Sequence, residues 1–146
     1  MSPKGLIDTG AILAMLDRRD RWHERCVEAF GRLRLPLATS AAILAELFHM
    51  LDPSEFTAAW SFVRSGAVTV LPVADEDLPD IDALMGKYRD RPMDSADATL
   101  VHLAEREDLS LVFTVDVNDF ETYRIAGKRR FHIVPNLALR ANFLTP

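Results

Sequence analysis

The chain has 146 residues, 49% hydrophobic and 27% charged, a composition typical of one globular domain. Its net charge of -5 at first argues against a nucleic-acid partner. If six of the 22 acidic residues gather at one metal site, however, 16 acidic residues remain against 17 basic ones. The net charge therefore does not exclude a phosphate substrate. The single cysteine excludes an intrachain disulfide, no apolar run is long enough to span a membrane, and no signal peptide is evident, so we expect a cytoplasmic protein.

Short apolar segments alternate with helical segments along the chain. In order, the sequence predicts a strand over 5–7, helices over 11–16 and 22–33, a strand over 35–38, helices over 41–51 and 55–64, a strand over 67–71, helices over 75–88 and 94–107, and strands over 109–115 and 131–134. Strands separated by helices indicate parallel crossovers, hence a parallel sheet covered on both faces. With no repeat or linker, we predict a single α/β domain over 1–146, and no element is predicted after Val134.

Carboxylates stand near the ends of the predicted strands. Asp8 closes the first strand, Asp116 follows the fourth, and Asp94 begins the last predicted helix. In a parallel sheet, the C-terminal strand ends and the helices that start there meet at one edge, where open α/β folds bind ligands. Glu46 lies at the rim of the apolar face of its own helix, so we expect four to six carboxylates to share this edge.

Asp97 is the most informative of the acidic residues. At 100° per residue, Leu100 and Ala104 lie about 60° and 20° from it around the helix, so Asp97 falls within the apolar face. A carboxylate buried there is costly unless it is paired or bound to a cation. We therefore expect Asp97 to meet a cation or a partner inside the fold.

The acidic residues favour a hard divalent cation. Without one, gathered carboxylates repel each other and some must bind protons. Mg²⁺ and Mn²⁺ prefer oxygen ligands. The histidines do not offer zinc-like spacing, since they are scattered along the chain at His23, His49, His102 and His132.

Each acidic residue also has a purely structural interpretation. Asp8 and Asp94 stand where they would cap the helices that follow them. Glu46 is compatible with an ordinary solvent-facing helix position, and Asp116 and Asp119 with turn or cap positions before a short helix. Asp97 fits such an interpretation least well, because of its angular position.

Two groups of basic residues are candidates for phosphate contacts, although such groups are more often solvated faces. The first lies before and at the start of the helix over 22–33, and the second precedes the last strand. The candidate phosphate-contacting residues among them are Arg18, Arg19, Arg21, Lys128, Arg129 and Arg130. We expect contacts of this kind to weaken with salt.

In their order along the chain, these residues resemble a PIN domain, most closely the ribonuclease toxins of the VapC type and their solitary relatives. The resemblance extends from Leu6 to about Val134. No single piece is specific, but together they form a recognisable pattern. The pieces are Ile7-Asp8-Thr9, Glu46 within Ala-Glu-Leu, Met93-Asp94-Ser95-Ala96-Asp97-Ala98, Thr114-Val115-Asp116 and Asp119-Phe120.

The resemblance implies a three-layer α/β/α sandwich with a central, mostly parallel sheet and a metal-dependent nuclease site. It implies catalytic metal ligands at Asp8, Glu46, Asp97 and Asp116, neighbouring carboxylates at Asp94 and Asp119, and supporting hydroxyls at Thr9 and Thr114. It also implies one or two Mg²⁺ or Mn²⁺ ions, a homodimer, and a small antitoxin whose arginine enters the acidic pocket. The chain departs from the pattern at Gly10, where the family usually has Ser or Asn, and this puts a polar contact beside the metal in doubt.

The sequence thus favours a Mg²⁺- or Mn²⁺-dependent ribonuclease that hydrolyses phosphodiester bonds in RNA, as the toxin of a toxin–antitoxin pair. The alternative is a catalytically weak module that keeps the fold and binds nucleic acid or protein, which Gly10 favours. A metal phosphatase or phosphoacceptor domain fits less well. It would need adjacent acidic residues near the first strand and a lysine at a late strand end, and neither is evident.

Overall fold

A computed structural model describes residues 1–137, so positions 138–146 of the tail lie outside the described residues. The strands are β1 (Leu6–Ile7), β2 (Leu37–Thr39), β3 (Val68–Val70), β4 (Leu111–Phe113), β5 (Arg124–Ile125), β6 (Arg129–Arg130) and β7 (His132–Val134). The helices are α1 (Thr9–Leu16), α2 (His23–Gly31), α3 (Ala41–Met50), α4 (Phe56–Val63), α5 (Leu78–Lys87), α6 (Ser95–Arg106) and α7 (Val117–Thr122). Single 3₁₀ turns at Pro53–Glu55 and Asp75–Asp77 lead into α4 and α5.

The central sheet has five parallel strands in the order β3-β2-β1-β4-β7. Leu6 of β1 is paired with Ala38 on one side and Val112 on the other. From β1 the chain builds the sheet outward through β2 and β3, then returns to the other side of β1 with β4. The C-terminal ends of β1 and β4 therefore border a topological switch point, where this architecture binds ligands.

The two faces of the sheet are covered by separate hydrophobic clusters, as the period-2 alternation of strands requires. Leu6 and Val112 pack on one face, mainly against α5 and α6. Ile7 and Phe113 pack on the other, with side chains from α1 to α4. The predicted three-layer α/β/α sandwich with a parallel sheet is therefore confirmed.

Helix starts at the C-terminal edge of the sheet are capped by side chains. Ser40 Oγ accepts a hydrogen bond from the Ile43 backbone N–H at 3.2 Å, as its place before α3 predicts. The helix predicted over 75–88 instead begins with a 3₁₀ turn before α5. The antiparallel pair of β5 with β6 was not predicted, since its two-residue strands are too short to show an alternating pattern.

The lone cysteine is a buried part of the core. Cys26 is fully buried in α2, and this burial raises its thiol pKa to about 11, which keeps it protonated and unreactive. Within residues 1–137, no helix combines the length and apolar character needed to cross a membrane.

Candidate functional site

A cleft of about 420 Å³ opens at the C-terminal ends of β1 and β4. Its floor and rim come from the start of α1, the middle of α3, the loop before α6, the first turn of α6, and the segment after β4. The structure brings all six candidate carboxylates to it: Asp8, Glu46, Asp94, Asp97, Asp116 and Asp119. The convergence expected from strand order is therefore what the fold produces.

Asp8 is buried and held from two directions. Its carboxylate accepts hydrogen bonds from the Thr9 backbone N–H at 2.8 Å and from Thr114 Oγ1 at 2.9 Å. Burial raises its pKa to about 6, against the opposing effect of these two bonds, and nearby Glu46 adds to the increase. Asp8 thus caps α1 and faces the cleft, so the structural and the functional interpretations of this residue are compatible.

Thr114 joins the two strand ends that border the cleft. Its hydroxyl donates to Asp8 and accepts from the backbone N–H of Asp116 at 2.9 Å. One hydroxyl on β4 therefore fixes the carboxylate of β1 relative to the loop that carries Asp116. Thr9 also lines the cleft, and its hydroxyl donates to the Ile43 carbonyl at 3.4 Å.

Asp97 lies in the first turn of α6 with 8% of its surface exposed. Asp94 caps this helix by accepting the Asp97 backbone N–H at 2.8 Å, and it also lines the cleft. Tyr123, itself buried, donates its hydroxyl to Asp97 Oδ2 at 3.0 Å. Burial, reinforced by the charges of Asp8 and Asp94, raises the Asp97 pKa to about 8.

Three carboxylates come close enough to share one cation. Asp97, Asp116 and Asp119 each offer an oxygen, and these oxygens lie within 4.8 Å of one another. Asp97 is the most buried of the three and Asp116 the most accessible. Loss of hydration in the cleft and the adjacent Asp119 raise the Asp116 pKa to about 6.

This donor set suits a hard divalent cation. The close oxygens are all carboxylate, and the pKa of both Asp97 and Asp116 is raised first by burial and then by the neighbouring negative charges. A divalent cation would relieve that repulsion without protonation. Asp119 belongs to this set, whereas the sequence placed it only as a neighbour of the ligands.

The other predicted site residues occupy the rim. Glu46 lines the cleft from α3 and is half-buried, beside the exposed Met50. Gly10 lines it from the first turn of α1, with the Val115 side chain against it.

The structure places the six predicted RNA-binding side chains outside the cleft lining. Arg18, Arg19 and Arg21 follow the far end of α1, about 12 Å of helix away from Asp8. Arg19 pairs with Asp17, with Nε and Oδ1 3.2 Å apart. Their contact with RNA remains a prediction, and it would lie on a surface away from the cleft carboxylates.

The second basic group lies toward the opposite edge of the sheet. Lys128 and Arg129 precede β7, which starts beside the N-terminal end of β4. Arg129 pairs with Asp108 at 3.0 Å, and Arg130 lines a separate pocket together with Glu121. This group also remains a prediction.

Two side chains at the cleft were not assigned a role from the sequence. Tyr123 hydrogen-bonds Asp97, and Arg91 pairs with Asp119 through Nε and Oδ1 at 3.1 Å. The aromatic residue three positions after Phe120 was a usable signal, because both side chains are buried on one side of a short helix. Arg91 carried no comparable signal, since its partner is 28 residues away.

Replacing Tyr123 by phenylalanine is expected to move the acidic limb of the pH–rate profile to higher pH. The hydroxyl favours the ionised form of Asp97, so its loss raises the Asp97 pKa further. Tyr88→Phe is the matched control, because the Tyr88 ring packs 5.2 Å from that of Tyr123 but its hydroxyl accepts the Arg124 backbone N–H instead. An acidic limb at the same pH in the Tyr123→Phe and Tyr88→Phe variants would contradict the role assigned to Tyr123.

Restoring a side chain at Gly10 is expected to destabilise the fold unless Val115 is shortened. A Cβ at Gly10 would lie 2.8 Å from Val115 Cγ2, a contact that forces one of them to move. Gly10→Ser alone should cost about 1–3 kcal/mol in the free energy of unfolding, and Val115→Ala should recover most of it. Urea unfolding of both single variants and the double variant measures the coupling, and additive effects would contradict it.

An acidic cleft at the switch point of a parallel α/β/α sandwich thus characterises the molecule. The model of one family, the PIN domain, matches residues 5–126. The chain belongs to the PIN domain family, as its motifs predict.

Relatives with known names or structures agree with this membership. The chain is 27% identical over 142 residues to Ribonuclease VapC26 of Mycobacterium tuberculosis (strain ATCC 25618 / H37Rv), covering 89% of this chain and 99% of that protein. Its fold is similar to the crystal structure of M. tuberculosis VapC20, a Sarcin-Ricin loop cleaving toxin, with a TM-score of 0.70, 18% identity, and coverage of 78% and 92% of the two chains. VapBC-1 from nontypeable Haemophilus influenzae has a TM-score of 0.58 at 18% identity, with coverage of 79% and 88%.

Proposed function

We propose that this protein is a divalent-metal-dependent ribonuclease that hydrolyses phosphodiester bonds in RNA. The observation that carries the proposal is the set of three carboxylate oxygens, from Asp97, Asp116 and Asp119, within 4.8 Å of one another. Membership of the PIN domain family and similarity to a ribonuclease support the same activity.

Asp97, Asp116 and Asp119 would hold Mg²⁺ or Mn²⁺, with Asp8 and Glu46 beside them and room for one or two ions. When bound, the cation supplies Lewis acidity, which activates water and offsets the charge that develops on the phosphate oxygens. The protein's own groups keep the carboxylates in place. Tyr123 holds Asp97 through its hydroxyl.

Asp8 has a different task from the three close carboxylates. Both its oxygens are engaged, Oδ1 by the Thr9 backbone N–H and Oδ2 by Thr114 Oγ1, so its orientation is fixed before any ligand arrives. A carboxylate of raised pKa in such a position is able to accept a proton from water near neutral pH. We propose that Asp8 orients the attacking water and helps to balance the positive charge of the cation.

The test is cleavage of single-stranded RNA by the purified protein with Mg²⁺, with Mn²⁺ and with EDTA. Cleavage that requires either cation supports the proposal. Metal-independent cleavage, or none under any condition, contradicts it. An RNase-free preparation of an Asp97→Asn variant, purified in parallel, controls for contaminating nuclease.

A catalytically weak binding module is the second candidate, and the surroundings of Gly10 favour it. Where a polar side chain is usual in the family, a Val115 methyl group occupies the space instead. The cleft therefore lacks a polar side chain at this position. Mn²⁺ binding with no turnover of any RNA would select this alternative.

We also propose that the protein acts as a toxin, paired with a small antitoxin and assembled as a homodimer in the cytoplasm. The support is its similarity to VapC proteins and to the VapBC-1 structure. In the described part of the chain, no lysine or arginine lines the acidic cleft, so the cleft is complementary to an arginine-bearing segment. Expression of the chain alone and together with its neighbouring short reading frame tests this, with growth arrest relieved by the partner as the supporting result.

A further inference from the structure

The cleft presents an electrostatic difficulty for an RNA substrate. Among residues 1–137, its lining contains six carboxylates and neither lysine nor arginine. Even with a divalent cation bound, the strand on either side of the reacting phosphodiester would pass over negative charge. A ribonuclease built this way needs a cation at the mouth of the cleft to hold a flanking phosphate.

Arg91 is the basic residue placed there. It directly precedes Pro92, which lines the cleft, and its Nε donates to Asp119 Oδ1 at 3.1 Å. Within residues 1–137, no other lysine or arginine forms an ion pair with a cleft carboxylate. About half of the Arg91 side chain is exposed, and only Nε of its guanidinium is hydrogen-bonded to the described residues. The remaining guanidinium N–H groups are open to a ligand from solvent.

The backbone around Arg91 is anchored on both sides. Its N–H donates to the Tyr88 carbonyl at 3.0 Å in a turn that follows α5. On the other side, Pro92 restricts the chain and Met93 is buried in the core, with 3% of its surface exposed. The position of the guanidinium is therefore set by the fold, so binding costs little ordering of the loop.

We propose that Arg91 is a substrate-binding residue whose guanidinium holds an RNA phosphate at the mouth of the cleft. The Nε bond to Asp119 orients the guanidinium, and its outer N–H groups face the incoming strand. A planar guanidinium suits this task because it is able to contact phosphate oxygens in pairs. The inference rests on the proposed ribonuclease function and adds the residue that positions its substrate.

The test measures RNA binding separately from cleavage. Fluorescence anisotropy follows a short fluorescein-labelled single-stranded RNA across a salt series, with Mn²⁺ present and Asp97→Asn in every protein to suppress turnover. Adding Arg91→Gln is expected to weaken binding about tenfold and to lower the salt slope by about 1. Arg89→Gln is the matched control, because it removes the same charge from the same exposed loop, and binding should change less than about twofold.

In the otherwise wild-type protein, Arg91→Gln should raise KM about tenfold with little change in kcat, and Arg91→Lys should recover part of the loss. Calorimetry should show unchanged Mn²⁺ affinity in Arg91→Gln.

Tighter Mn²⁺ binding with unaltered RNA binding would overturn the inference, since Arg91 would then only shield Asp119. Equal effects of Arg89→Gln and Arg91→Gln, or no RNA binding by any variant, would overturn it too. Absence of cleavage by wild type, with RNA binding that depends on Arg91, would instead reject the ribonuclease and leave this contact standing.

Discussion

Replacement of Asp97 by asparagine is expected to reduce RNA cleavage by a factor of about 10²–10³ or more. The substitution keeps the size of the side chain and its hydrogen bond from Tyr123 but removes the most buried charge of the three-carboxylate set. Losing one preorganised electrostatic contact in an enzyme site costs about this much. Initial rates with saturating Mn²⁺ measure it, and Asp90→Asn, an exposed aspartate of the neighbouring loop, is the control.

The same substitution is expected to stabilise the metal-free protein. At neutral pH, ionised Asp97 is unfavourable in the fold, because burial and the charges of Asp8 and Asp94 raise its pKa to about 8. An asparagine removes that repulsion, so the melting temperature in EDTA should rise, and Mn²⁺ should raise it less than it raises the melting temperature of the wild type. Retained activity, or a lower melting temperature in EDTA together with normal Mn²⁺ stabilisation, would contradict the role assigned to Asp97.

The second large effect is that metal binding should change how the free energy of unfolding varies with pH. The pKa is raised to about 8 at Asp97 and to about 6 at Asp8 and Asp116, from 3.8 in the unfolded chain. Between these limits the folded protein binds more protons than the unfolded chain, so stability present below about pH 4 is lost as pH rises. From pH 6 to 8 the free energy of unfolding in EDTA should fall by up to about 1.4 kcal/mol per pH unit, because the buried Asp97 keeps its proton in this range while the unfolded chain does not.

Saturating Mn²⁺ should abolish this fall, because the cation favours the ionised carboxylates and is bound only by the folded state. Urea unfolding in EDTA and in Mn²⁺ across pH 5–8 measures both profiles. Metal-free Asp97→Asn should show the shallower profile of a protein that lacks the highest of the three pKa values. Stability in EDTA that increases from pH 6 to 8 would contradict the prediction.

Much of the fold follows from features visible in the sequence. The apolar strands, the hydroxyl cap at Ser40 and the alternation of strands with helices correctly predict a parallel sheet between two helical layers. The exact element ends were less accessible. β4 covers only Leu111–Phe113 of the apolar segment predicted over 109–115, because apolar character alone does not show where strand pairing begins and ends.

The site was predictable where periodicity or strand order determines a position. The angular position of Asp97 on α6 and the strand-end positions of Asp8 and Asp116 required no tertiary information. The proximity of Asp119 to the cation ligands did, because it depends on the direction that α7 takes after β4. The position of Arg91 beside Asp119 also required tertiary information, because it depends on where the loop before α6 packs.

The six residues of α7, with Tyr123 directly after them, combine two duties in one short helix. Asp119 lines the cleft and the Tyr123 hydroxyl donates to Asp97, while Phe120 packs edge-on against Phe131 in the core, with 5.3 Å between ring centroids. A helix this brief has little rigidity of its own, so the aromatic contact behind it sets its tilt. Substitutions at that buried contact should therefore lower the free energy of unfolding and also displace Asp119 and the Tyr123 hydroxyl, so that cleavage suffers beyond the loss of stability.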